Sequence, residues 1–210
     1  MSKQRPFGKI VHMLYILVGV VGFGFAFTFD WATLKNIRVL KQLAGLIAVS
    51  LLIYAAIMVC HSPAKLVLPA TVRIIGGCLL TISLGLLIFS LFIEIPFRAT
   101  YAKQGAGGKL ISTGTYALAR HPGVIWLAFV FVALALLYPS TILFMAIIIW
   151  LLVDIIYVAI QDAYLFPKMF PGYNDYKKLT PFLIPTRHSF TACIKTLRFS
   201  RTQSNVKLDK

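Results

Sequence analysis

The chain alternates long apolar runs with short polar, basic segments. Crossing a bilayer as a helix takes about 20 mostly apolar residues, and five runs reach or approach that length. The runs are continuous, without the strict alternation of barrel strands, so they favour helices. They occupy roughly residues 10–29, 43–60, 74–93, 122–138 and 141–160. The pattern predicts an all-α fold, a polytopic transmembrane bundle with about five membrane helices.

The last two runs are separated only by Tyr138, Pro139 and Ser140. A connection this short between two helices forces them to lie antiparallel. We therefore predict a tight helical hairpin that returns the chain to the side from which it started.

Composition supports a membrane protein. Of 210 residues, 59% are hydrophobic and 13% are charged, whereas soluble domains average about half apolar and roughly a quarter charged. We expect one integral membrane domain over residues 1–186, followed by a basic tail at 187–210.

The net charge of +15 is carried by loops and by the tail. This distribution is typical of juxtamembrane charge that faces the cytoplasm and anionic lipid, and no nucleic-acid partner is expected. If the first and third loops and the whole chain after the last apolar run are cytoplasmic, 16 of the 21 Lys and Arg residues lie on that side. The positive-inside rule favours this orientation, although the basic N-terminus argues against it.

Three cysteines, Cys60, Cys78 and Cys193, are scattered without CxxC spacing. Neither a metal site nor a disulfide framework is indicated.

The segment from Lys109 to Pro122, KLISTGTYALARHP, is the strongest candidate site. Proline suits the first turn of a helix, so His121 and Pro122 can serve merely as a helix start. A helix N-terminus also offers free N–H groups to an anion. With Arg120 adjacent and Tyr116 one turn earlier, binding of an anion or of adenine is the alternative interpretation.

A second set of polar residues lies on the last apolar helix. Trp150, Asp154, Tyr157 and Gln161 follow the spacing of one helical face, and Asp162 comes next. Acidic residues within membrane helices usually face a bundle interior or a wet cavity. The face either lines a ligand pocket or pairs with a neighbouring helix.

Several motifs in order resemble the isoprenylcysteine carboxyl methyltransferase and phospholipid methyltransferase superfamily. Gly114, Tyr116 and the triplet Arg120-His121-Pro122 match its G-x-Y-x-x-x-R-H-P signature. A hairpin follows, and the tail FPGYNDY, containing Tyr173 and Tyr176, leads into the proline-containing segment TPFLIP. The resemblance covers roughly residues 75–186.

The resemblance implies a membrane methyltransferase that uses S-adenosylmethionine in a cytoplasm-facing pocket, with a lipophilic acceptor entering from the bilayer. It implies a role in catalysis for His121, Gln161 and Asp162. It implies a role in cofactor binding for a larger set: Gly114, Tyr116, Arg120, His121, Pro122, Tyr173 and Tyr176.

The chain departs from the family pattern at two places. Gly123 and Val124 follow the proline where the family often has Tyr at the second position, and Gln161-Asp162 replaces a pair of acids. Two other functions therefore stay open. One is an NADPH-dependent membrane reductase of the sterol or steroid type, and the other is a non-catalytic protein that binds a lipid or a partner helix.

Overall fold

A computed structural model describes residues 6–62, 66–95 and 110–208, and within them it contains helices and no strands. Residues 96–109, which belong to the expected third loop, lie outside the described residues. The helices are α1 (Pro6–Leu34), α2 (Arg38–Cys60), α3 (Ala70–Ile88, continued by a π-helical turn, Phe89–Glu94), α4 (Thr115–Leu118), α5 (Pro122–Leu137), α6 (Thr141–Ile160, continued by a second π-helical turn, Gln161–Leu165), α7 (Phe166–Met169), α8 (Tyr173–Leu179) and α9 (Arg187–Leu208).

Local sequence explains where the long helices begin and end. Ser140 caps α6, because its hydroxyl accepts a hydrogen bond from the Leu143 amide at 3.1 Å. Pro122 occupies the first turn of α5, where its missing N–H has no helical partner to lose.

Four helical segments are long and apolar enough to cross a membrane: Val11–Leu34, Arg38–Cys60, Ala70–Glu94 and Thr141–Met169. α5 is also apolar but has only 16 residues, which make a helix about 24 Å long. The polytopic helical bundle is thus confirmed. Four of the five apolar runs form full-length spans, and the run at 122–138 forms the shorter helix α5.

The helices alternate in direction between two ends of the bundle. At one end, the Leu66 amide donates to the Pro139 carbonyl at 2.7 Å, so the connection after α2 meets the α5–α6 turn. At the other end lie the C-terminal ends of α3 and α6, the N-terminal end of α5, and all of α4. We call this second end the site end.

α6 packs on α1 along a seam centred on Trp150. The Trp150 side chain is 2% exposed, and its indole nitrogen donates to the Ile16 carbonyl at 3.0 Å. Around it lies the main apolar core, which joins α1, α2, α5 and α6: Ile16, Phe23, Ala55, Val59, Phe131, Leu143, Ala146 and Ile147.

Many large apolar side chains point outward on the long helices, among them Leu46, Ile74, Ile82 and Ile148, each at least 60% exposed. Exposure of this kind suits a surface solvated by acyl chains. The chain is a multi-pass membrane protein.

The seam between α1 and α6 predicts a sharp difference between two glycines of the same helix. A Cβ at Gly19 would lie 2.3 Å from the Trp150 indole nitrogen, whereas a Cβ at Gly24 would have no atom within 4 Å. We expect Gly19→Ala to destabilise the protein by about 1–3 kcal/mol through overpacking. Gly24→Ala is the matched control and should be neutral or slightly stabilising, because alanine has the higher helix propensity. Thermal unfolding in detergent compares the two, and equal melting temperatures would contradict the packing described for this seam.

Candidate active site

The glycine of the G-x-Y motif is fixed by a carboxylate from α3. Gly114 has φ +62° and ψ −132°, and a Cβ there would lie 1.7 Å from Oε1 of Glu94. The Glu94 carboxylate accepts hydrogen bonds from the Thr115 amide at 2.8 Å and from the Thr115 hydroxyl. Only glycine fits this backbone and this approach, so the motif glycine is explained by its contact with the end of α3.

Tyr116 joins the same end of α3 to α8. Its hydroxyl donates to the Ser90 carbonyl at 3.2 Å, and its own carbonyl accepts from the Tyr176 hydroxyl at 2.5 Å. The motif tyrosine therefore helps to hold the two sides of the site end together.

Arg120 uses its guanidinium to connect three segments. Nε and one terminal nitrogen donate to the two carboxylate oxygens of Asp162, at 2.7 and 3.2 Å. The other terminal nitrogen donates to the carbonyls of Lys177 and Thr180, at 3.0 and 2.6 Å. The Arg120 amide also donates to the Pro181 carbonyl at 2.9 Å. This residue fastens the loop before α5 to the end of α6 and to α8.

Two further groups, the Tyr173 hydroxyl and Lys177 Nζ, donate to Asp162 besides the Arg120 guanidinium. The Tyr173 hydroxyl donates to Oδ1 at 2.8 Å, and Lys177 Nζ lies 2.9 Å from Oδ2. Lys177 Nζ also donates to the Asp162 carbonyl at 3.1 Å. The carboxylate is buried, at 10% side-chain exposure, and its charge is balanced by two cations.

His121 lies against this network without joining its hydrogen bonds. Its Nε2 is 3.5 Å from Asp162 Oδ1, is buried, and has no hydrogen-bond partner within the described part of the chain. The ring stacks on Phe166, with centroids 5.7 Å apart, and meets the edge of Phe182 at 5.2 Å. Burial lowers the pKa of His121, and the neighbouring Asp162 carboxylate opposes that shift only in part. The imidazole is therefore neutral near pH 7.

The two tail tyrosines, Tyr173 and Tyr176, are buried at the start of α8. Burial raises the pKa of both phenols, and the adjacent Asp162 carboxylate raises that of Tyr173 further. Both hydroxyls therefore remain protonated donors at neutral pH.

Gln161 and Asp162 are neighbours in sequence but bond to different elements. The Gln161 amide nitrogen donates to Oδ2 of Asp30 on α1 at 2.6 Å. The Tyr157 hydroxyl donates to the same oxygen and lies 3.2 Å from the Ala26 carbonyl. Together with Trp150, these residues attach α6 to α1, so Trp150, Tyr157 and Gln161 of the polar face bond to another helix, while Asp154 of the same face is buried.

The structure thus brings together most of the residues singled out from the sequence. Arg120, His121, Asp162 and Tyr173 meet in one network, Pro122 starts α5 directly behind it, and Gly114, Tyr116 and Tyr176 adjoin it through α3 and α8. Gln161 is buried beside the network and is turned to α1.

Sequence reasoning missed four participants: Glu94, Phe166, Lys177 and Phe182. Glu94 could have been found from the sequence, since it is an isolated acid at the end of an apolar run, two residues before a proline. Lys177 had no such signal, because it resembles any other basic residue of the tail.

One family comparison bears on this geometry. The model of the family described as "PEMT: Phospholipid methyltransferase" matches residues 72–169, a range that begins in α3 and ends at the last residue of α7. Residues 72–169 are similar to the phospholipid methyltransferase family. Comparisons with curated proteins and with solved structures gave no match.

The phospholipid methyltransferase match confirms the resemblance to the superfamily that the motifs indicated. It includes Gly114, Tyr116, Arg120, His121 and Asp162. Tyr173 and Tyr176 lie beyond it, so their placement beside Asp162 comes from the structure alone.

The ion pair predicts a large stability difference between two aspartates. Asp162→Asn leaves the Arg120 and Lys177 cations at the site without their counter-charge, and we expect a loss of roughly 3–5 kcal/mol. Asp175→Asn is the matched control, because Asp175 pairs with Lys178 on the surface at 78% side-chain exposure, where solvent screening leaves such pairs little effect on stability. Unfolding in detergent measures both. A comparable loss in the two variants would show that Asp162 does not hold the site end together.

The lowered pKa of His121 predicts a pH-dependent stability. Its folded-state pKa lies below the ordinary value of 6.5, so the unfolded chain binds a proton more readily than the folded one. The contribution of this residue is complete above pH 6.5 and decreases as the pH falls through that value. His121→Gln should flatten this part of the stability profile between pH 7 and pH 5, whereas His61→Gln, an exposed histidine at the opposite end, should leave it unchanged. A profile that keeps its slope in His121→Gln would contradict the neutral imidazole.

Proposed function

We propose that this protein is an integral membrane methyltransferase that transfers a methyl group from S-adenosylmethionine to a lipophilic acceptor. The observation that carries the proposal is the convergence of Arg120 and His121 on Asp162 within the residues that are similar to the phospholipid methyltransferase family. The family supports methyl transfer to lipid-like substrates in general. The cofactor, the acceptor and the residue roles below are our proposal.

The residues present at the site fit such a cofactor. His121 Nε2 is a buried nitrogen that still needs a hydrogen-bond partner, and an adenine or carboxylate group of the cofactor can supply it. The rings of Phe166, Phe182 and Tyr173 lie around it, and aromatic faces attract cations such as a sulfonium. The cofactor supplies the electrophilic methyl group.

The geometry divides the candidate residues into binding and positioning roles. His121 is proposed to contact the cofactor directly. Arg120 and Asp162 already satisfy one another and the tail carbonyls, so we propose that they position the loop that carries His121. Tyr173 and Tyr176 close the site from α8, and Gln161 positions the end of α6 through Asp30.

Positioning is the form of catalysis that this reaction needs. Displacement at a sulfonium methyl is an in-line transfer, and correct orientation of two reactants can supply roughly 7–11 kcal/mol of barrier reduction. A neutral imidazole and protonated tyrosines offer hydrogen bonds to the reactants without placing further charges at the site.

The segment after α8 offers a lipophilic acceptor an approach to this site. Pro181, Phe182, Leu183 and Ile184 line an open apolar cavity of about 310 Å³. Phe182 also contacts the His121 ring. An isoprenylcysteine or phospholipid-like acceptor entering from the bilayer would meet this cavity first.

The proposed orientation places the site end in the cytoplasm. The first loop, the third loop and the chain after residue 160 hold 16 of the 21 Lys and Arg residues, and the long helices that flank them end at the site end. The positive-inside rule supports this arrangement, and anionic lipid is the proposed partner of the basic loops and tail.

Cofactor binding by the purified protein tests the proposal. We expect S-adenosylmethionine to bind in calorimetry and NADPH not to bind. His121→Ala should weaken binding roughly tenfold or more, the loss expected for a hydrogen bond that involves a charged group. His61→Ala, at the opposite end of the bundle, is the control and should bind as the unmodified chain does.

The other outcomes identify the alternatives. Binding of NADPH alone would favour the reductase, and binding of neither would favour a non-catalytic protein. Binding of S-adenosylmethionine that is unchanged in His121→Ala would keep the cofactor and reject the assigned contact.

A further inference from the structure

α9 is anchored to the site end along one face. Cys193 is buried with Ala117 and Leu118 of α4, and Ala192 and Trp126 pack against this small cluster. Thr196 Oγ1 accepts a hydrogen bond from the Gly114 amide at 2.9 Å. These contacts hold α9 at the level where α3 closes and α5 begins, which is the lipid–water boundary of a bundle of this kind.

A second face of α9 is apolar and uncovered. Phe190, Ile194 and Leu197 are 58%, 38% and 39% exposed, and their i, i+4, i+7 spacing places them on one stripe. A stripe of three large apolar side chains on a helix at this boundary meets the acyl-chain region of the leaflet beside it.

The charge of α9 indicates which lipids it meets. Residues Arg187–Leu208 include five Lys and Arg residues and no acid, and Arg187 and Lys195 are both exposed. A helix with an apolar stripe and basic flanks lies in the plane of a membrane surface and is attracted by anionic headgroups.

We propose that α9 is an in-plane anchor for anionic lipid that fastens the Gly114 loop. The Phe190–Ile194–Leu197 stripe inserts between lipids, Arg187 and Lys195 pair with anionic headgroups, and Thr196 transmits the docking to the Gly114 amide. The proposed function names only a general affinity of the tail for anionic lipid. The present proposal names the residues of α9 that contact the lipid. It does not depend on methyl transfer.

Two measurements on the full chain, in discs that hold a single copy, test insertion and coupling without any cofactor. The first uses Ile194→Cys in a Cys78→Ser background, labelled with an environment-sensitive fluorophore, since Cys60 and Cys193 are buried. We expect quenching by lipids brominated on their acyl chains in discs of phosphatidylserine and phosphatidylcholine. Quenching should be weaker in discs of phosphatidylcholine alone.

The second measurement is hydrogen exchange at the Gly114 amide. It should be slower in the anionic discs, and Thr196→Val should abolish that difference while leaving the quenching intact.

Paired charge removals provide the matched control. Arg187→Gln with Lys195→Gln should lower the inserted population roughly fivefold per residue. Lys35→Gln with Arg38→Gln removes two exposed charges at the same end, outside α9, and should leave it unchanged.

Absence of quenching in single-copy discs would overturn the proposal. So would quenching that appears only when two copies share a disc, which would mean that the stripe binds a second copy. Exchange at Gly114 that is indifferent to lipid would reject the coupling.

Discussion

The site end depends on one buried negative charge. Asp162 lies in the π-helical turn near the end of a span of 29 residues from Thr141 to Met169, and its carboxylate is removed from water. An uncompensated charge in such a place is expensive, whereas a paired and fully hydrogen-bonded one is tolerated. Arg120, Lys177 and Tyr173 provide that compensation from the loop before α5 and from α8. Assembly of the site end therefore follows from neutralising Asp162.

The π-helical turn at Gln161–Leu165 lets two adjacent side chains serve different neighbours. Gln161 bonds to Asp30 of α1, and Asp162 bonds to Arg120 of the loop. π-Helical turns re-aim side chains within a helix and are frequent at functional sites. Here the turn connects two polar networks, so a change in the packing of α1 against α6 would also shift Asp162.

Sequence reasoning recovered the long helices because their signal is local. Apolar runs of sufficient length can only be helices in lipid, and the break at Tyr138–Ser140 was visible directly. The run at 122–138 was grouped with the membrane-spanning helices. The corresponding helix, α5, has only 16 residues and is shorter than the four full-length spans. The tail was predicted only as basic, and the structure shows a helix there, α9. The boundary at residue 186 stays a prediction, although Cys193 and Thr196 pack against the loop and α4.

The site was predictable only in part because its partners come from distant positions. The R-H-P motif indicated Arg120 and His121, and the position of the family's acidic pair indicated Asp162. No pattern in the sequence predicts that Arg120 bonds to Asp162, 42 residues away, or to backbone carbonyls 57 and 60 residues away. Only the fold brings Lys177 into contact with Asp162. Asp30 is similar, because an acid near the end of α1 reveals nothing about Gln161, 131 residues later.

The same geometry explains how the chain can do without the first acid of the family's acidic pair, the one that Gln161 replaces. An acid at position 161 would face Asp30 at the distance of a hydrogen bond, and two carboxylates so close would repel each other unless one were protonated. Glutamine removes that repulsion and donates to Asp30 instead. The substitution is therefore matched to the acid on α1, and the remaining carboxylate at 162 keeps its partners. The proposed methyl transfer would depend on orientation more than on proton transfer, and glutamine at 161 leaves the contacts of Asp162 with Arg120 and Tyr173 in place.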